Sequence, residues 1–137
     1  MSLSTGEVAV GIVAYFDVAI LNADAKIQKP ASPTTRNGPF LCVQIVGTKS
    51  TWTPLSWTPR TERVFIESAW REGGTKAWHS GTPYLNDGST TYRGETAVFV
   101  AAAAVADTYN PETRQKVSAA GVAVIINEIQ QRGGGLL

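Results

Sequence analysis

The sequence has few of the residues on which most enzyme chemistry depends. Its 137 residues include one cysteine, Cys42, and one histidine, His79. A single cysteine excludes an internal disulfide, and a single histidine excludes both a histidine-rich metal site and a ribonuclease mechanism that needs two histidines. No cluster of cysteine, histidine and carboxylate residues has the spacing of metal ligands, so the sequence predicts no metal site and no cofactor.

Several common motifs and targeting signals are also absent. There is no Gly-x-x-x-x-Gly-Lys-Ser/Thr phosphate loop and no Gly-x-Ser-x-Gly nucleophile turn. No stretch of about 18 apolar residues is present, so we expect no membrane span. The N-terminus lacks the basic and apolar regions of a signal peptide, from which we expect a cytoplasmic location.

The composition is that of one globular domain. Apolar residues make up 43% of the chain and charged residues 17%, with twelve basic against eleven acidic residues and a net charge of +1. This balance argues against a dedicated nucleic-acid coat protein, although a local basic face stays open because net charge hides distribution. The length predicts a single domain over residues 1–137.

Hydrophobic patterning predicts a β-rich body over about residues 8–105. Short β-branched or aromatic runs predict strands at 8–16, 40–47, 51–59 and 63–68, with Pro54 marking an edge strand or a bulge. Residues 17–29 are predicted to form a loop with one helical turn, and 69–95 an irregular loop. Residues 96–105 are ambiguous: alanines favour a helix, whereas Val-Phe-Val after Gly94 favours a strand, which we prefer.

The clearest predicted element is an amphipathic helix near the C-terminus, at about residues 116–132. Val122, Ile125 and Ile129 lie on one helix face, Ser118 is placed to cap the first turn, and a glycine-rich tail follows over 133–137. Cys42 lies in an apolar run and is expected to be a buried structural thiol. Several short strands followed by one helix predict a mainly β (α+β) fold, a small antiparallel barrel or curled sheet with the helix packed on it.

Two loop segments carry residues suited to phosphodiester chemistry. Arg36 lies between the first two predicted strands, and Ser56, Thr58 and Arg60 lie at the end of the third. An arginine can hold a phosphate through two parallel hydrogen bonds, and a hydroxyl can donate to developing negative charge. In the alternative interpretation these are solvated surface residues whose hydroxyls pair with nearby backbone, and Arg60 and Arg63 pair with Glu62 or Glu67.

Aromatic residues form a second theme in this short chain. Four tryptophans are present, and Trp57 and Trp78 lie in polar segments where their rings could stack on bases. Core packing or a dimer interface explains most tryptophans equally well. His79 follows Trp78, where it is either an exposed residue or a group that meets a substrate.

These residues resemble the PemK/MazF-like toxins, the endoribonucleases of toxin–antitoxin pairs. Gly11-Ile12-Val13-Ala14-Tyr15-Phe16-Asp17 is similar to the family's first strand, and an opening at Gly6-Glu7-Val8 is an alternative alignment. Arg36-Asn37-Gly38-Pro39-Phe40-Leu41-Cys42-Val43 resembles the family's Arg-x-x-Pro and second strand. Pro54-Leu55-Ser56 resembles the Pro-Ile-Thr that ends its third strand, with serine in place of threonine.

The resemblance implies an SH3-like β-barrel with a C-terminal helix, a homodimer, a cognate antitoxin and single-stranded RNA as substrate. It implies metal-independent cleavage through a 2′,3′-cyclic phosphate. Arg36 would stabilise the scissile phosphate and take part in proton transfer, and Ser56 would supply the hydroxyl, with Thr58 as the substitute. The residues expected to bind RNA around them are Trp57, Arg60, Trp78 and His79.

Two other classes of function fit the same sequence. One is a non-catalytic SH3-like module that binds a peptide or oligonucleotide in an aromatic groove built from the tryptophans and Tyr84 or Tyr92. The other is a structural or assembly protein of phage or mobile-element origin. The first would depend on tryptophans rather than arginines, and the second would form large oligomers.

Overall fold

The computed structural model describes residues 2–109 and 111–137, an α+β arrangement with a mainly antiparallel sheet. Its described α-helices are α1 (Val18–Ala23), α2 (Lys76–Ser80), α3 (Thr96–Ala103) and α4 (Ala119–Gln131). The strands are β1 (Val13–Phe16), β2 (Gly38–Val46), β3 (Lys49–Ser56), β4 (Arg71–Gly73), β5 (Tyr84–Leu85), β6 (Tyr92–Glu95) and β7 (Gln115–Val117). Short 3-10 turns lie at Thr5–Glu7 and Ser68–Trp70.

The main sheet runs β1-β2-β3, and β3 then pairs with β6 along its first half and with β5 at its end. Strands β4 and β7 form a separate antiparallel pair. Among the described strands no pairing joins β1 to β5 or β6, so the sheet stays open. The α+β class predicted from the sequence is confirmed, whereas closure into a barrel is not.

Both faces of the sheet carry a hydrophobic core. Along β2, Phe40 and Cys42 belong to a cluster with Trp52 and Phe99, while Leu41 belongs to a second cluster. Successive strand residues point to opposite faces, so an uninterrupted apolar run is what a sheet covered on both sides requires. Buried residues of α1 and α3 belong to the first cluster, and those of α4 belong to the second.

Helix α4 confirms the predicted C-terminal helix. Val122, Ile125 and Ile129 are buried on one face, as their spacing predicts. The hydroxyl of Ser118 accepts a hydrogen bond from the Gly121 amide and so caps the first turn. A tail at 133–137 follows the helix, and Leu137 exchanges hydrogen bonds with the Gln44 side chain.

Residues 96–105 were expected to form a strand, and this prediction is wrong, because 96–103 form α3. Phe99, Ala102 and Ala103 are buried together at helical spacing, whereas Ala97 and Ala101 are exposed. The alanines have high helix propensity. They also bring the helix backbone close to the sheet: Asp17 N donates to Ala102 O at 2.9 Å.

The predicted strand at 63–68 is also absent. Within this segment Phe65 forms an isolated bridge with Tyr84, and Ile66 N donates to Pro83 O. The carbonyl of Ile66 instead accepts from the guanidinium of Arg71, at 3.0 Å from Nε and 2.8 Å from Nη2. The Arg71 side chain therefore occupies the Ile66 carbonyl, the acceptor that a neighbouring strand would otherwise use.

Segments expected to be irregular contain regular elements. Residues 69–95 carry β4, α2, β5 and β6, and residues 17–29 begin with α1, which Asp17 caps through its carboxylate. Helix α1 confirms the helical turn predicted within residues 17–29. Periodicity did not reveal β4, α2, β5 and β6 because each has only two to five residues.

Pro54 lies in the centre of the sheet rather than at an edge. Strand β3 pairs with β6 through residues 49–52 and with β5 through residues 55–56, so Pro54 falls at the junction of the two partners. A missing N–H is tolerated there because no strand of the described sheet needs it. The irregularity in this part of the sheet lies instead in β2, between Cys42 and Gln44.

Gly11 is required by a close backbone approach. Its φ is +97°, and an added Cβ would collide with the carbonyl oxygen of Val117. The Gly11 amide donates to Cys42 O while its carbonyl accepts from Val117 N, so it joins β2 to β7 just before β1. In the described part of the chain, no helix has the length and apolarity needed to cross a membrane.

Candidate functional site

A polar cleft of about 340 Å³ lies at one end of the sheet, where β2 begins and β3 ends. The antiparallel register places Phe40 beside Pro54, so the segment before β2 and the segment after β3 meet there. The cleft is lined by Arg36, Ser56, Thr58 and Arg60, which the sequence had placed in two separate loops. The fold therefore brings together the three candidate catalytic residues and one of the four candidate RNA-binding residues.

The loop that carries Arg36 is held on both sides of that residue. The Asn37 side-chain oxygen accepts from Val18 N at 2.9 Å, and the Asn37 carbonyl accepts from the Tyr15 hydroxyl at 3.3 Å. Before Arg36, the Thr34 amide donates to the Tyr92 hydroxyl at 3.0 Å. The backbone is thus fixed while the Arg36 side chain is exposed.

Tyr92 belongs to a small hydrogen-bond network under this loop. Its hydroxyl donates to Asn22 Oδ1 at 2.9 Å, and Asn22 Nδ2 donates to Thr34 O at 2.9 Å. Burial raises the pKa of Tyr92, and the two hydrogen bonds partly offset this rise. The phenol therefore stays neutral and can serve as both donor and acceptor.

Arg63 is the central residue of the opposite wall. Its Nη1 donates to Ser56 Oγ at 2.9 Å and to Thr58 O at 2.6 Å. Its Nε and Nη2 donate to the carbonyl and the side-chain oxygen of Asn86, at 3.0 and 2.7 Å. One planar guanidinium thus joins the end of β3 to the turn that follows β5.

The hydrogen bonds at Ser56 leave its hydroxyl proton for a ligand. Its oxygen accepts from Arg63 Nη1 and from Thr58 N at 3.2 Å, which occupies both lone pairs. No described residue accepts the Ser56 O–H. The group is therefore set up as a donor, which is the role that phosphate oxygens require.

The electrostatics of the cleft are one-sided. Arg36, Arg60 and Arg63 line it, and no aspartate, glutamate or histidine does. Within the described structure, the guanidiniums of Arg36 and Arg60 have no hydrogen-bond or ion-pair partner, and both residues are exposed. The expected pairing of Arg60 or Arg63 with Glu62 or Glu67 does not occur. Three cations and one oriented hydroxyl favour an anion such as a phosphate.

Two other arginines have structural roles away from the cleft. Arg71 is buried and donates to the carbonyls of Ile66, Trp78, His79 and Gly81; burial lowers its pKa, and Glu67 partly offsets this. Arg114 is fully buried between Asp107 and Glu7. Burial acts against its charge, but the two carboxylates outweigh burial, so the pKa of Arg114 is raised.

The remaining predicted RNA-binding residues lie outside the cleft. Trp78 is fully buried, and its ring lies 6.2 Å from that of the half-buried Trp57. His79 is exposed, and its Nε2 lies 2.7 Å from Gly73 O. The buried Trp78 ring offers no face on which a base could stack.

Sequence reasoning missed the two residues that organise the cleft. In the sequence Arg63 offers only a surface ion pair with Glu62 or Glu67, and Asn86 lies in the segment 69–95, which was expected to be an irregular loop. Nothing in their spacing from Ser56 signals a contact, because they come from different segments. The match between the guanidinium donors of Arg63 and the two oxygens of Asn86 arises only when the chain is folded.

No group of three or more histidine, cysteine, aspartate or glutamate side chains that could hold a metal ion occurs among the described residues. Comparison with protein-family models, curated proteins and solved structures found no match to this chain.

Proposed function

We propose that this chain is a toxin-type endoribonuclease that cleaves single-stranded RNA without a metal ion, in the cleft between β2 and β3. The observation that carries the proposal is the convergence of Arg36, Arg60 and Arg63 with the Ser56 hydroxyl in a cleft that no carboxylate lines. In this proposal the cleft binds the scissile phosphodiester, and the guanidiniums stabilise the negative charge on its non-bridging oxygens in the transition state.

RNA supplies the nucleophile itself, so the chain needs no nucleophilic side chain. The 2′-oxygen attacks the adjacent phosphorus, the bond to the 5′-oxygen breaks, and the products are a 2′,3′-cyclic phosphate and a 5′-hydroxyl. One proton leaves the 2′-hydroxyl and one reaches the departing 5′-oxygen. The family resemblance assigns Arg36 a part in this transfer, and Ser56 donates to a non-bridging oxygen.

The same proposal covers the fold family, the location and the protein partners of the chain. We propose that the open sheet corresponds to the SH3-like class of fold, and that the chain acts in the cytoplasm as a homodimer restrained by an antitoxin. None of these is required for the chemistry in the cleft.

A second candidate function is binding of single-stranded RNA without cleavage. The same cationic cleft supports it, because holding a phosphate needs no reaction. An aromatic groove has less support, since Trp52 and Trp78 are both fully buried.

The product ends separate the two functions. An oligonucleotide with one ribonucleotide in a DNA strand is incubated with the protein in excess EDTA, and the fragments are analysed by mass spectrometry. We expect a fragment ending in a 2′,3′-cyclic phosphate and no cleavage of the all-DNA strand. If the chimeric strand binds the protein but stays intact, cleavage is ruled out and binding without cleavage is the remaining function.

A further inference from the structure

A second cavity of about 480 Å³ adjoins the cleft and has a different chemistry. Arg60, Arg63 and Asn86 line both cavities, so the two are neighbours that share a wall. The acidic residues Glu62 and Asp87 also line the second cavity, whereas no acidic residue lines the cleft. Because these acidic residues lie beside Arg60, Arg63 and Arg132, the cavity offers both acceptors and donors, which suits the polar edge of a base in an RNA strand whose phosphate lies in the cleft.

The carboxylates of Glu62 and Asp87 have oxygen atoms that accept no hydrogen bond in the described structure. Oδ1 of Asp87 accepts from the amide and the hydroxyl of Ser89, at 2.9 and 2.8 Å, whereas Oδ2 has no partner in the described structure. The Glu62 carboxylate likewise makes no hydrogen bond or ion pair with any described residue. Two residues that line this cavity therefore keep unused acceptor positions.

Donors are available beside these acceptors. The Asn86 oxygen is taken by Arg63, which fixes the amide so that its Nδ2 hydrogens are free. Arg132 reaches over from the end of α4, where its guanidinium donates to the Glu62 carbonyl and to the Glu128 carboxylate. A planar guanidinium can stack on a base as well as donate to it.

We propose that the second cavity binds a guanine base next to the phosphodiester held in the cleft; the inference rests on the proposed RNA substrate. Guanine presents two adjacent donor groups, N1–H and N2–H2, together with the acceptors O6 and N7. Adenine, cytosine and uracil each have one donor group on the pairing edge. Glu62 and Asp87 accept from the guanine donors, and Asn86 and Arg60 donate to its acceptors.

The test is base preference in binding, measured with strands that cannot be cleaved. Fluorescent 2′-O-methyl pentanucleotides with a central G, A, C or U in a uridine background are titrated with the full chain, and fluorescence anisotropy gives Kd. We expect the G strand to bind about tenfold more tightly than the A strand. Glu62→Gln and Asp87→Asn should each reduce this ratio, whereas Glu112→Gln, an exposed carboxylate outside both cavities, should keep it.

The outcomes for the two proposals can be told apart. Equal affinity for all four strands, or a G preference that survives in both variants, overturns the guanine site, while RNA cleavage by the same preparation would leave the proposed function standing. A G preference that Glu62 and Asp87 control supports the site even where cleavage fails. Absence of binding to every strand overturns the guanine site, and it overturns the proposed function as well when the same preparation, shown by thermal unfolding to be folded, also fails to cleave RNA.

Discussion

Nη1 of Arg63 lies 2.9 Å from Oγ of Ser56 and donates a hydrogen bond to it. This contact joins a residue at the end of β3 to one that follows it by seven positions in an irregular segment. It fixes the serine oxygen as an acceptor toward the protein, and so it directs the serine proton toward the cleft. In the proposed function this cation and this hydroxyl act together on the bound phosphate.

The first prediction concerns the Ser56 hydroxyl. Ser56→Ala removes the oriented donor and should lower kcat for RNA cleavage about 10- to 100-fold, as loss of a hydrogen bond to a charged transition state does. Ser56→Thr keeps the hydroxyl and should retain most of the activity. Single-turnover rates of the two variants measure this, and equal rates for alanine and threonine would show that the hydroxyl has no role.

The second prediction concerns the anchoring of the Arg36 loop. Tyr92→Phe removes the acceptor of the Thr34 amide and the donor to Asn22, which should cost about 1–2 kcal/mol of unfolding free energy. Hydrogen exchange at the Thr34 amide should accelerate selectively, and KM should rise as the loop loosens. Unchanged exchange at Thr34 would contradict the proposed anchoring.

The third prediction concerns the buried cation at Arg114. Arg114→Met leaves Asp107 buried without its partner and should destabilise the protein by about 3–5 kcal/mol. Lys76→Met changes an exposed lysine in the same way and should shift stability by less than about 0.5 kcal/mol. Urea unfolding compares the two, and similar midpoints would mean that the Arg114 network does not hold the fold.

The fourth prediction concerns Cys42 and pH. Burial raises the pKa of its thiol to about 12, with a hydrogen bond from the Gln44 backbone partly offsetting the rise. Well below pH 9, the ordinary pKa of a thiol, Cys42 is neutral in both the folded and the unfolded state. As pH rises from 9 toward 12, only the unfolded thiol ionises, so its contribution to stability is lost.

Two measurements check this prediction. At pH 8 the folded protein should react with a disulfide reagent only as fast as it unfolds, and urea should expose the thiol. Cys42→Ala should show a smaller loss of stability between pH 9 and 11 than the parent. Rapid labelling of the folded protein would place Cys42 at the surface.

The sequence predicted those parts of the molecule whose pattern is long and local. Helix α4 follows from Val122, Ile125 and Ile129 with the Ser118 cap, and β2 follows from its apolar run. Helix α3 could not be predicted, because an alanine-rich run that contains valine and phenylalanine is compatible with both helical and strand periodicity. Only packing against the sheet decides between the two.

The residues of the candidate site likewise fall into those that the sequence identifies and those that only the structure reveals. Arg36 and Ser56 could be selected because each flanks a predicted strand and their residue types suit phosphate chemistry. Arg63, Asn86 and the second cavity could not, because their roles depend on contacts between segments 20 to 70 residues apart along the chain. Trp78 was selected as a polar-loop residue, but it is buried because α2 folds its ring against β4, where Nε1 donates to Glu72 O.

The rate of RNA cleavage in excess EDTA by the parent, Arg36→Ala and Lys76→Ala tests the central claim most directly. Arg36 is an exposed and otherwise unpaired cation of the cleft, whereas Lys76 is an exposed cation outside it. We expect the parent and Lys76→Ala to cleave at similar rates and Arg36→Ala to be slower by about 100-fold or more. Cleavage by Arg36→Ala at the parent rate would contradict the assignment of the active site to this cleft.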